Sequence, residues 1–236
     1  MRWSVLGGAA AVVVLLGTAP SSADGTPAAR AASHATVTFA LPVGEPPNYI
    51  FPLAAGNVGN NVDLFQFSPF LFRPLYWYGK GASPNINFAE SMAGPPKFSN
   101  RGRTVTITLD RRYRWSDGAP VTNRDVRLWM ELLTNEKQNY LGYAVGSIPD
   151  DITASSYPAS SPYQFSLTFN RAYSSRWILY NQLSEITPLP AQTMDRTSAS
   201  GPVGNHAATR SGAVAVYNFL DGQSKDEATY ASNPLW

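Results

Sequence analysis

Hydrophobic and polar positions alternate strictly over residues 104–109, Thr-Val-Thr-Ile-Thr-Leu. That period places Val105, Ile107 and Leu109 on one face of a strand and three threonines on the other. Further on the period changes. From about Asn123 to near Asn135, the apolar residues Val126, Trp129, Met130 and Leu133 fall at i, i+3, i+4 and i+7, the spacing of one buried stripe on a helix. The intervening stretch Trp115-Ser116-Asp117-Gly118-Ala119-Pro120-Val121 carries turn chemistry: Gly118 supplies positive φ, Pro120 fixes φ, and Asp117 can hydrogen-bond its own backbone. Thr122 and Asp125 form a T-x-x-D pair, in which the hydroxyl caps the new helix and the carboxylate sits in its positive first turn. The local plan is strand, turn, capped helix.

Other patterned stretches surround this block. Residues 36–41 alternate as a strand with Val37, Phe39 and Leu41 on one face, after which Pro42, Gly44, Pro46 and Pro47 break the pattern before residues 48–53. From 62 to 78 aromatic residues are dense, and Leu64, Phe67, Leu71 and Leu75 fit one helical stripe with Phe65, Phe72 and Tyr76 beside it. Residues 100–102 predict a hairpin turn into the 104–109 strand. Residues 139–151 are polar and irregular, with Tyr140 and Tyr143 as exposed aromatics. Residues 164–169 alternate again, and 176–183 show a helical stripe at Trp177, Tyr180 and Leu183 capped by Ser174. A short helix is expected at 212–220 and an exposed turn at 221–225, and no internal repeat is present.

Composition narrows the function classes. The 236 residues are 44% hydrophobic and 14% charged, enough to bury a sizeable core. Eighteen basic and 16 acidic residues give a net charge of +2 without a Lys/Arg block that would track phosphates, so nucleic acid is not an expected partner. With no cysteine, disulfides, thiolate metal sites, a thiol nucleophile and a lipoprotein anchor are excluded. His34 and His206 both lie in polar, small-residue stretches, so no metal site, cofactor or catalytic histidine is expected. Residues 1–23 have one arginine, an apolar run over 5–16 and small residues Ser21, Ser22 and Ala23, which predict a cleaved secretory signal, with an uncleaved anchor as the alternative. Residues 24–35 are a flexible spacer.

The stretch Trp115, Ser116, Asp117, Gly118, Pro120, Thr122, Asp125 and Val126 resembles the signature of the family 5 extracellular solute-binding proteins, the oligopeptide-, dipeptide- and nickel-binding components of ABC importers. Every fixed position of W-S-D-G-x-P-x-T-x-x-D-V is present. Asn123 and Arg124 stand where Ala and often an acidic residue are usual, which reads as surface variation. The signature residues themselves have two readings, a corner of the fold or a ligand contact, and the turn and cap roles favour the corner.

The resemblance implies an α/β fold: a periplasmic-binding-protein-like type II lobe, a mixed sheet with flanking helices, plus a small inserted α+β subdomain. It divides the chain into 36–146 as the first part of the N-terminal lobe, 147–195 as the subdomain and 196–236 as a return segment, with the second lobe absent from this sequence. It also implies that the loop after the first strand reaches the ligand, through Asn48, Tyr49 and Ile50, and that Tyr76 and Trp77, with Tyr78, line the cleft; core packing of Tyr49 and of the aromatic run is the competing reading.

The implied function is capture of a peptide or similar solute outside the cytoplasm by a monomer and its delivery to an ABC permease, without catalysis. Two alternatives stay open at this point. One is a secreted hydrolase of glycans or peptides using carboxylates such as Asp110, Asp117 and Asp125, and the other is a truncated, non-functional remnant.

Overall fold

The computed structural model describes Val43, Tyr49 and residues 51–53, 68–79 and 85–224, all within one compact unit, Leu41–Trp236. The expected signal, spacer and 36–41 strand, together with Asn48 and Ile50, lie outside the described residues. The elements are α1 (Ser68–Leu71), β1 (Lys97–Ser99), β2 (Thr104–Thr108), α2 (Asn123–Glu136), β3 (Ile152–Ser156), β4 (Gln164–Phe169), α3 (Ser175–Asn181), α4 (Ala191–Met194) and α5 (Arg210–Gln223), with short 3-10 turns between them.

The strands form one sheet in the order β1-β2-β4-β3, and every pairing is antiparallel. Val105 stands opposite Leu167 and Ile107 opposite Phe165, all four buried, so the alternating pattern of β2 meets that of β4 on the same face. On the other face the hydroxyls of Thr104 and Thr168 lie 3.1 Å apart. Burying a Leu or Phe is worth about 1.5–3 kcal/mol, against about 0.2–1 kcal/mol for a cross-strand polar pair, so the apolar face sets the register. Residues 100–102 make the β1–β2 turn, with Asn100, Arg101 and Gly102 all at positive φ (49°, 55° and 83°); Gly102 is the residue there that adopts it without steric cost. Because β4 lies between β2 and β3, the strands of residues 147–195 share a sheet with the strand leading to the signature.

α2 buries more than one stripe. Val126, Trp129, Met130 and Leu133 are in the core as the spacing predicts, and Leu128 and Leu132 join them in the same core, with α5 packed along the helix. α5 buries Ala213, Val216, Tyr217 and Leu220, again at i, i+3, i+4 and i+7, and the Thr209 hydroxyl caps it by accepting the Gly212 N–H at 3.1 Å. It runs on to Gln223, into the stretch expected to be an exposed turn, and Asp221 there accepts the Tyr49 hydroxyl at 2.7 Å.

Two local expectations are corrected. The described part of the aromatic run is helical only over the four residues of α1, because Pro74 has no N–H to continue a helix and pushes Arg73 out of the helical region. In α3 the buried residue is Ile178, with Trp177 and Tyr180 half-buried, and Ser174 makes no side-chain cap.

Candidate functional site

The signature forms a tight corner. Gly118 adopts φ 85°, and Asp117 Oδ1 accepts the Ala119 N–H at 2.8 Å, the Asx turn that its position suggested. Trp115 N–H donates to Ala119 O at 2.8 Å and Val121 N–H to Tyr113 O at 3.2 Å, so the chain reverses as a small hairpin. Ser116 and Asp117 are exposed, Gly118, Pro120 and Thr122 half-buried, and Trp115, Asp125 and Val126 buried.

Thr122 and Asp125 close a capping box at the start of α2. The Asp125 Oδ2 accepts the Thr122 N–H at 2.6 Å and its hydroxyl at 3.2 Å, while Oδ1 accepts the Ala191 N–H at 2.8 Å. The Asp125 backbone carbonyl also accepts the Leu189 N–H at 3.2 Å. Asp125 therefore ties the helix start to the segment entering α4. Burial raises its pKa, and the N–H donors of Thr122 and Ala191 oppose that rise. The Trp115 indole N–H helps hold the charge but stops short of a hydrogen bond.

Asn123 is not a surface variation. It is 2% exposed, and its side-chain amide reaches the carbonyls of Pro158, Ser161 and Gln164 at 3.1, 3.2 and 2.8 Å, fixing the β3–β4 connection against the helix. Arg124 is exposed, as expected.

A second feature is a cavity of about 540 Å³ whose main walls come from three stretches far apart in the chain, with Pro52, residues of 68–74 and Trp129 completing the lining. Residues 76–78 form one wall, held by Trp77 N–H donating to the buried Ser91 hydroxyl at 2.9 Å and by Asn87 N–H donating to Trp77 O at 2.8 Å. Tyr140 and Leu141, just beyond α2, form another, with the Tyr140 ring edge-on to Trp129 at 5.5 Å. The third runs from Tyr180 through Ser184 and Glu185 to Thr187, joined to the first by the Tyr78 hydroxyl donating to Tyr180 O at 2.7 Å. Its size and its aromatic lining suit a small-molecule site.

The structure brings Tyr76 and Trp77 to this cavity together with Tyr78. Tyr76 is fully buried, and its hydroxyl donates to Gly94 O at 3.0 Å, which leaves it an edge of the wall; Trp77 is half-buried with the Arg73 guanidinium 4.7 Å from its ring. Tyr49 does not reach the cavity. Its ring is buried in the core beside Phe51 and Leu53, and burial together with Asp221 raises the pKa of its hydroxyl.

Glu185, Tyr180 and Trp129 escaped sequence reasoning as wall residues, since nothing local in the sequence joins them to Trp77. Glu185 is exposed at the cavity's edge, yet desolvation by the surrounding walls pushes its carboxyl up to about 7. Among the described residues no group of three or more His, Cys, Asp or Glu side chains could hold a metal ion, and no helix is long and apolar enough to cross a membrane.

Residues 87–235 match the model of the bacterial extracellular solute-binding proteins, family 5, middle region. The chain belongs to this family. Its signature, α2, sheet and α5 all fall within the matched residues. Similar solved structures include the ABC transporter substrate-binding protein CtaP of Listeria monocytogenes, at 19% identity and TM-score 0.47, covering 71% of this chain and 30% of that one. The oligopeptide-binding protein AppA of Bacillus subtilis, in complex with a nonapeptide, is 16% identical with TM-score 0.47, covering 64% of this chain and 27% of that one. NikA of Brucella suis, in complex with Fe(III)-EDTA, is 13% identical with TM-score 0.48, covering 64% and 28%. The family 5 chain thus spans about 30% or less of the length of these structures. Among curated proteins none matches.

Proposed function

We propose that this family 5 chain forms part of an extracytoplasmic solute-binding protein that captures a peptide or a solute of similar size and hands it to an ABC permease. The observation that carries the reading is the family match over residues 87–235, which contains the whole signature corner. In it, the corner sets the frame and the aromatic cavity supplies contacts through Trp77 and the edge of Tyr76, with Asn48 and Ile50 retained as further ligand contacts. The mechanism is closure of an opposing wall over the solute, which removes most of its surface from water and presents a closed shape to the permease. We retain 1–23 as an export signal, 36–146 and 147–195 as two parts of the first lobe, 196–236 as the return segment, and a monomer as the working state.

The carboxylates of the hydrolase alternative are already occupied. Asp110 is paired with Arg112 at 2.7 Å, which holds it below the usual carboxylate range, Asp117 serves its turn and accepts from Gln192 at 3.3 Å, and Asp125 is sealed in the capping box. Calorimetry with a mixed tripeptide pool, run beside a turnover assay on peptide and glycan libraries, tests the reading. Binding heat without product is the expected result; accumulation of cleaved product would replace the binding protein with the hydrolase.

A further inference from the structure

We propose that the aromatic cavity takes an organic cation, a primary ammonium or guanidinium group of the bound solute, seated against Glu185. This rests on the solute-binding reading above and adds the chemical class that the site selects. Among the described residues lining the cavity, Glu185 is the only charged side chain. Around it stand the rings of Trp77, Tyr78, Tyr140 and Tyr180, whose π-faces attract cations.

Two of these rings already show the preference: Arg73 lies 4.7 Å from the Trp77 ring centre and Arg176 lies 5.3 Å from that of Tyr180. Neither arginine lines the cavity, and desolvation, not a neighbouring cation, sets the Glu185 pKa. The Tyr78 and Ser184 hydroxyls are engaged with Tyr180 O, at 2.7 and 2.8 Å, and give the wall a fixed shape without a competing charge. Desolvation already holds the Glu185 carboxyl near neutrality, at about 7. A cation entering the cavity restores the ionised form, whereas an anion meets the carboxylate and a neutral group gains only the apolar walls.

The test compares two N-acetylated, C-amidated tripeptides of nearly equal shape, Ala-Lys-Ala and Ala-norleucine-Ala, so that the lysine ammonium is the only cation in the pair, by NMR titration up to millimolar concentration at pH 8. Both are run against the full chain and its Glu185→Gln variant. The lysine peptide should bind about tenfold more tightly, the combined effect of one partly exposed charge pair and the surrounding rings. In Glu185→Gln that ratio should fall below about twofold while the norleucine peptide binds as before, which also reports that the variant is folded. Equal binding of both peptides to the unchanged chain overturns cation selection and leaves the solute-binding reading standing. A lysine preference that survives Glu185→Gln, or loss of both peptides alike in the variant, overturns the role of Glu185. Binding of neither peptide removes both readings together.

Discussion

Replacing Asp125 with Ala should lower the unfolding free energy by about 3–4 kcal/mol. The carboxylate receives three hydrogen bonds, from the Thr122 N–H, the Thr122 hydroxyl and the Ala191 N–H, and the site is 1% exposed. A buried donor left without an acceptor costs about 1–3 kcal/mol, and here the two backbone donors have no alternative. Loss of the helix cap alone accounts for about 1 kcal/mol; the remainder comes from the broken tie to Ala191. Asp117→Ala, by contrast, removes an acceptor on an exposed turn and should cost no more than about 1 kcal/mol, in the range of a single exposed hydrogen bond. Urea denaturation of the two variants checks the ranking. A loss below about 1 kcal/mol for Asp125→Ala would mean that the tie to Ala191 is dispensable.

Stability should also fall as pH rises from 4 to 7, and Asp151 should be a main cause. Its carboxyl is 0% exposed, and neither oxygen has a hydrogen-bond partner among the described residues. Desolvation, with a smaller repulsion from Asp150, pushes its pKa from 3.8 to about 6 against the opposing pull of its own backbone N–H, which lies short of hydrogen-bond geometry. The folded chain thus holds a proton there that the unfolded chain releases. The stabilisation is fully present below about pH 4 and is lost as pH passes through 6, because the unfolded state binds fewer protons over that window. A rise of that size corresponds to about 2–3 kcal/mol. In Asp151→Asn the carboxyl no longer titrates, so the difference in unfolding free energy between the unchanged chain and the variant should shift by that amount between pH 4 and 7. A constant difference across the range would show that Asp151 reaches water.

The elements that the sequence discloses best are those in which one period governs a whole segment. Val105, Ile107 and Leu109 and the pair Phe165 and Leu167 are buried on the face that alternation assigns. Thr122 and Asp125 cap α2 because the T-x-x-D spacing admits that local geometry. Aromatic density misleads over residues 68–78, since Phe and Tyr fit a helical stripe and an extended wall equally well, and the proline that decides the matter, Pro74, carries no periodic signal. Asn123 is misread for a different reason: a polar residue at a helix start is ordinarily solvated, and only the returning loop with its three carbonyls buries it. Trp77, Tyr140 and Glu185 meet only in three dimensions. Their assembly depends on Leu75 N–H donating to Ile186 O at 2.7 Å and on the Tyr78–Tyr180 contact, neither of which leaves a pattern in the chain.

In the proposed function the aromatic cavity meets the solute while the signature corner only frames it. Indole N–H resonances separate the two directly, because Trp77 and Trp129 line the cavity, Trp115 sits in the corner, and Trp177, stacked on Tyr173 at 4.7 Å, does not line the cavity. Titrating ¹⁵N-labelled chain with Ala-Lys-Ala should move the Trp77 and Trp129 signals in a saturable way and leave Trp115 and Trp177 where they were. Saturable movement of Trp115 with Trp77 and Trp129 unmoved would place the solute at the signature and contradict the account.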